Sequence, residues 1–151
     1  KQEKTEAVAT KLPIGSISKS RGTLPYPAIG RLVGRYGQVM ETGLTRKGIT
    51  IETGVEAQVV VPYNGTVVFA GAFKGYGQLL IIEHGEGYHS LLAGLARIDN
   101  AIGQQVLSGE PAGIMGTPKS GLPVLYVELR RNGQPINPLP WLAARKIKIN
   151  G

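Results

Sequence analysis

The sequence has no cysteine, a single aspartate (Asp99) and two histidines (His84 and His89) in 151 residues. The missing cysteine excludes disulfides, thiolate-ligated zinc and thiol catalysis, and leaves the redox compartment open. Metal and hydrolytic sites need several His, Asp or Glu side chains converging on one point, and the chain has few to supply. No apolar run approaches the roughly 18 residues of a membrane span, so a soluble domain is expected.

What the chain has in abundance is glycine and proline, 22 and 10 residues, which break it into short strands and tight turns and exclude a helical bundle. An apolar content of 42% against 18% charged residues speaks against disorder, and the length suits one domain with its own core.

The net charge of +7 lies mostly at the two ends. Residues 1–21 carry a net +3, the last seven residues another +3 from Arg145, Lys146 and Lys148, and the centre only +1. A nucleic-acid-binding face would cluster Lys and Arg on a folded element among aromatic or polar readers. No such cluster is visible, so no nucleic-acid partner is expected. The chain begins with Lys rather than Met, and residues 1–23 end in the Gly/Ser/Lys-rich GSISKSRGT. They read as a flexible linker from a longer chain, followed by a domain over 24–144 and a basic tail over 145–151.

From Leu24 onward the sequence is a succession of short alternating or apolar runs: GITIE (48–52), AQVVV (57–61), GTVVFAG (65–71), QLLIIEHG (78–85), YHSLLAGL (88–95), QQVLSGEP (104–111), AGIMG (112–116) and VLYVELRR (124–131). Each contains or adjoins a residue that can end a strand, which gives about eight strands and an all-β fold. A faint echo between residues 54–71 and 103–116 suggests either a duplicated hairpin or the ordinary self-similarity of β sequences.

The search for chemistry finds little. If Glu86 and Gly87 form a two-residue turn, His84 and His89 stand opposite each other across a hairpin, but no third metal ligand is near and Glu83 points to the other face. A Ser-His-Asp set could be assembled on paper from Ser90 or Ser120, a His and Asp99, with nothing in the spacing to favour it. Lys119, in TPKSG, lacks the hairpin symmetry of a carrier lysine and reads as a solvated turn residue.

Taken together, TRKGITIET, GTVVFAGAFKGYGQLLIIEHGEGYHSLLAGL, GQQV with SGEPAGIMG, and LYVELRRNGQPINPLPWL resemble the LytM-type (lysostaphin-like) zinc metallopeptidase domain over residues 24–142, roughly four fifths of the chain. The ending looks most like EnvC-type murein hydrolase activators. The resemblance implies a β-rich duplicated hybrid motif with antiparallel sheets, a concave groove and little helix. Active members carry His-x-x-x-Asp, where this chain has Arg46 and Thr50 at the two ends. Their His-x-His strand matches Val124 and Tyr126, and a catalytic His matches Gly94. Arginine is never deprotonated at neutral pH and valine has no donor atom, so these residues cannot replace zinc ligands. No catalytic residue, metal or cofactor is therefore expected.

By strand alternation Val124, Tyr126, Glu128 and Arg130 would face the groove and Leu125, Val127 and Leu129 the core. The same count from Tyr76 sets Gln78, Leu80, Ile82 and His84 on one face. The expected partner-binding surface is thus Arg46, Lys47, Thr50, Tyr76, His84, Val124, Tyr126 and Arg130. The alternative is that Tyr76 and Tyr126 cap core edges and Arg130 pairs with Glu128 or Glu52. The resemblance implies an activator of periplasmic peptidoglycan amidases in septal murein splitting, whose groove takes the amidase's regulatory helix. It also implies an upstream coiled coil governed by a cell-division ABC transporter complex, and admits peptidoglycan as a ligand. A peptidoglycan-binding module without amidase activation is the competing reading.

Overall fold

Eleven strands form among the described residues of the computed structural model, 15–75 and 77–144. They are β1 Gly30–Gly34, β2 Ile49–Thr53, β3 Gln58–Val60, β4 Gly65–Ala72, β5 Gln78–Gly85, β6 Tyr88–Leu95, β7 Arg97–Ile98, β8 Gln105–Val106, β9 Pro111–Ile114, β10 Val124–Arg131 and β11 Gln134–Ile136. Helix is limited to two short 3-10 turns, Ile17–Ser20 and Leu139–Trp141, and none is long and apolar enough to cross a membrane. The fold class is the expected one. β1, β7 and β11 are additional to the expected runs, and QQVLSGEP divides because a turn over 107–110, closed by Glu110 N–H to Leu107 O at 3.0 Å, separates β8 from β9.

Eight strands make one antiparallel sheet in the order β1-β2-β10-β6-β5-β4-β8, with β11 on the end of β10, and β3-β9-β7 make a second. Residues paired across antiparallel strands share a face, so the register sorts the large sheet into two sides. Ile49, Ile51, Leu125, Val127, Leu92, Leu80 and Ile82 form the inner side, each at most 4% exposed. They pack in one cluster with Val59, Val61, Ala112 and Met115 around the smaller sheet. Each large side chain so buried contributes about 1.5–3 kcal/mol.

This register corrects the expected facing of β5. Leu80 pairs with Leu92 and Ile82 with Ser90, all on the inner side, and it is Leu79, Ile81 and Glu83 that share the outer face with Ala93, Leu91 and His89. Glu86 and Gly87 do make a two-residue hairpin turn, both with positive φ (55° and 82°). Yet Glu83 pairs with His89 and Gly85 with Tyr88, so His84 is the extra residue of a bulge and does not stand opposite His89.

The packed body also begins before Leu24. Ile17 is fully buried, and the Glu86 carboxylate accepts hydrogen bonds from Ser16 Oγ (3.1 Å), Ser18 N–H (3.0 Å) and Ser18 Oγ (3.0 Å). Trp141 O accepts from Gly22 N–H (3.0 Å) and Leu24 N–H (3.1 Å), and Trp141 itself packs on Tyr88 with ring centroids 5.1 Å apart. Residues 15–23 are therefore held against the domain, by one apolar side chain and a hydrogen-bonded strap. The rest of the expected linker and the basic tail lie outside the described residues.

Candidate functional site

The outer side of the large sheet is where the sequence-derived residues can meet. One register row crosses it: Gly34, Thr50, Tyr126, Ala93, Leu79 and Gly71 are successive cross-strand partners on β1, β2, β10, β6, β5 and β4. A second row runs through Glu128, Leu91, Ile81 and Phe69, and a third through Arg130, His89, Glu83 and Thr66.

Arg46 reaches this face from the loop before β2. Its Nη1 donates to Thr50 Oγ1 (3.4 Å) and its Nε to Gln38 Oε1 (3.3 Å). A glycine at position 34 makes room for it: a Cβ there would lie 2.9 Å from both the Arg46 guanidinium carbon and Thr50 Oγ1. Lys47, next in sequence, is exposed, while Arg46 lies over the sheet.

On β10, Tyr126 O–H donates to Glu128 Oε2 (2.5 Å) and Arg130 Nε to Glu128 Oε1 (2.7 Å). The Glu128 side chain is only 8% exposed and so draws its solvation from these two neighbours. The pairing of Arg130 with Glu128 named in the alternative reading is thus present, while Glu52 is taken by Arg31 (2.8 Å). Val124 is 42% exposed at the end of the face. Beyond it lies an open depression of about 400 Å³ lined by Gly94, Ala96, Pro118, Leu122, Pro123 and Val124 among others.

His84 lies on the other side of the sheet. It is fully buried, with Nδ1 2.8 Å from Asn64 O and Nε2 2.7 Å from Ser90 Oγ. A carbonyl only accepts, so Nδ1 carries the proton and Ser90 O–H donates to Nε2. Burial pushes its pKa down to about 4, and the imidazole is neutral. It supports the core and the β5–β6 hairpin and is withdrawn from the outer face. Tyr76 lies outside the described residues.

The residues that the resemblance sets at zinc-ligand positions do not fit a zinc ion. Arg46 brings a cation, Thr50 accepts from it, Tyr126 O–H is directed to Glu128, and Val124 has no donor. Gly94 adds no side chain: its φ is +107°, and a Cβ would stand 2.6 Å from Val124 O. Among the described residues no three His, Cys, Asp or Glu side chains gather in a metal-binding group.

Sequence reasoning missed Gln38, Arg31, Leu79, Ile81 and Phe69. The first two depend on loop and edge-strand placement, Phe69 on a bulge in β4, and Leu79 and Ile81 on which side of β5 turns toward the core.

An antiparallel two-sheet fold with this open face is a LytM-type peptidase architecture, with a side-chain set unsuited to metal. Peptidase family M23 matches residues 44–138, and the chain belongs to that family. It is 35% identical over 129 residues to the murein hydrolase activator EnvC of Escherichia coli, covering 85% of this chain and 31% of that one. It is 38% identical over 125 residues to a lipoprotein NlpD/LppB homolog of Pseudomonas aeruginosa, covering 82% of this chain and 41% of that one. The chain thus spans less than half the length of these curated relatives. A putative peptidase M23 from Pseudomonas aeruginosa superposes with a TM-score of 0.71 at 24% identity, over 95% of this chain and 60% of that one. Lysostaphin does so with a TM-score of 0.70 at 17% identity, over 83% of this chain and 60% of that one. At such identities the likeness concerns the fold.

Proposed function

We propose that this domain is a non-catalytic activator of peptidoglycan amidases of the N-acetylmuramoyl-L-alanine type, acting in the periplasm during septal murein splitting. The observation that carries the reading is that none of Arg46, Thr50, Tyr126 and Val124 is disposed as a zinc ligand on this open face: Arg46 donates to Thr50, Tyr126 donates to Glu128, and Val124 is an exposed apolar side chain. Similarity to proteins named murein hydrolase activators supports the same reading.

In this mechanism the outer face of β2, β10 and β6 receives the amidase's regulatory helix and so uncovers the amidase active site. The face must bind that helix better than the amidase's own site does, by a differential on the order of a few kcal/mol. Arg46, Lys47, Thr50, Val124, Tyr126 and Arg130 are the proposed contacts, with Tyr76 a further candidate; His84 supports the scaffold from behind. In the full-length protein an upstream coiled coil, answering to a cell-division ABC transporter complex, would control access to the face. The isolated domain would then activate constitutively.

The test mixes the purified domain with murein, with and without an amidase from the same genome. Murein release only when both are present is expected. Release by the domain alone would point to an enzyme, and sedimentation with murein without stimulation would point to a peptidoglycan-binding module.

A further inference from the structure

Two arginines of the outer face are each paired with a carboxylate, and a third, Arg46, is not so paired among the described residues. Arg31 holds the Glu52 carboxylate at 2.8 Å, and Arg130 holds that of Glu128 at 2.7 Å. Arg46 is only half-buried, yet its hydrogen-bond acceptors among the described residues are neutral, Gln38 Oε1 and Thr50 Oγ1, at the long distances of 3.3 and 3.4 Å. A guanidinium has five N–H donors, so most of its capacity is left for a ligand, and its strongest partner is a carboxylate. Exposed Lys47 adds a second cation beside it.

The apolar part of the face is close by. Thr50, which anchors Arg46, stands opposite Tyr126, and Val124 follows two residues along β10, roughly 7 Å from Tyr126 at the strand rise. Val124 and the half-exposed Leu122 line the open depression. A helix rises about 5.4 Å per turn, so a side chain one or two turns from a residue held by Arg46 can reach this surface.

We propose that Arg46 is a carboxylate anchor, binding an Asp or Glu of the partner's segment, while a large apolar residue one or two helical turns away enters the depression beside Val124 and Leu122. The occupant is a protein segment with one acidic and one apolar residue on the same face. A small murein carboxylate would satisfy Arg46 but leave the adjoining apolar surface uncovered. This rests on the amidase-activator reading and names what that reading leaves open, the chemistry of the recognised segment.

Two measurements test it. In the first, the side-chain Nε–H signals of Arg31, Arg46 and Arg130 are followed by NMR while sodium acetate, acetamide or soluble muropeptide is added at constant ionic strength. A saturable shift of Arg46 with acetate, absent with acetamide and absent at Arg31 and Arg130, is expected. Equal responses at all three, or none at Arg46, overturn the proposal.

In the second, amidase stimulation is titrated with the unaltered domain and with Arg46→Gln and Arg46→Lys. Arg46→Gln should need about tenfold or more domain for half-maximal stimulation, in keeping with loss of a charged hydrogen bond, and should lose part of the salt dependence. Arg46→Lys should fall between, and thermal midpoints should stay together. Stimulation unchanged in Arg46→Gln overturns the proposal while leaving the activator reading intact, and if muropeptide also shifts Arg46 the site belongs to murein. Failure of the unaltered domain to stimulate any amidase is the outcome that removes the activator reading, and this proposal with it.

Discussion

The Tyr126 hydroxyl donates to Glu128 Oε2 at 2.5 Å while Arg130 occupies the other oxygen, so three alternate residues of one strand form a continuous polar string on the open face. Strand geometry sets this up, because residues at intervals of two share a side and lie about 7 Å apart, within reach of Tyr and Arg around a central Glu.

Arg130→Ala should therefore have two effects. It removes a proposed partner contact, and it also strips the cation from a nearly buried carboxylate. The stability loss is expected at about 1–2 kcal/mol, discounted for the partial exposure of Arg130. The added change Glu128→Gln should restore much of that stability in urea denaturation but not the stimulation of amidase. Full restoration of stimulation would make Arg130 a purely structural residue.

His84 should make the fold sensitive to acid. Its folded pKa of about 4 lies below the ordinary 6.5, so the unfolded chain takes up the proton first. The stabilising contribution is complete above pH 6.5 and is lost progressively as pH falls to about 4, for a total of up to about 3 kcal/mol. Thermal midpoints measured across that range should fall with acidity, and less steeply in His84→Gln, whose baseline is lower because Asn64 O and Ser90 Oγ lose their partner.

Gly94→Ala should destabilise the domain by about 2–3 kcal/mol, since φ is +107° and the new Cβ would press on Val124 O. Restoring a histidine at this position would meet the same backbone. Gly94→His should thus lower the thermal midpoint at least as far as Gly94→Ala, as read by thermal denaturation.

The strap at Glu86 gives a local readout. Glu86→Gln weakens the acceptor for Ser16 and Ser18, and hydrogen exchange at the Ser18 amide should accelerate without a comparable change in the β10 strand. These hydrogen bonds hold the Glu86 carboxyl below its ordinary range, so the strap persists at neutral pH and loosens only as acidity reaches that lowered value. Ile17→Ala, in contrast, should cost about 2–4 kcal/mol globally, because Ile17 is fully buried in the core.

β10 was the most legible element of the sequence. Leu125, Val127 and Leu129 point inward, Tyr126, Glu128 and Arg130 outward, and a simple count of two recovers all six. On β5 the same count rightly sets Leu80, Ile82 and His84 on one side, but that side is the core and not the open face, because which side turns inward is set by how the strand meets its neighbours. Residues 15–23 looked like linker because one isoleucine among Gly, Ser and Lys is no periodic signal; its burial depends on a pocket built by distant strands.

Composition and local pattern by themselves determined a turn-rich β protein, and the resemblance carried by its motifs pointed to the metallopeptidase architecture and to Arg, Thr, Gly, Val and Tyr where ligands would be. Those properties follow from residue type, since backbone preference and donor chemistry do not depend on distant neighbours. Only the tertiary structure decided that His84 belongs to the core, that Glu128 joins Tyr126 to Arg130, and that Arg46 lies over Gly34 with neutral acceptors alone among the described residues. Facing and pairing are properties of strands in register, and register is set by contacts between residues far apart in the chain.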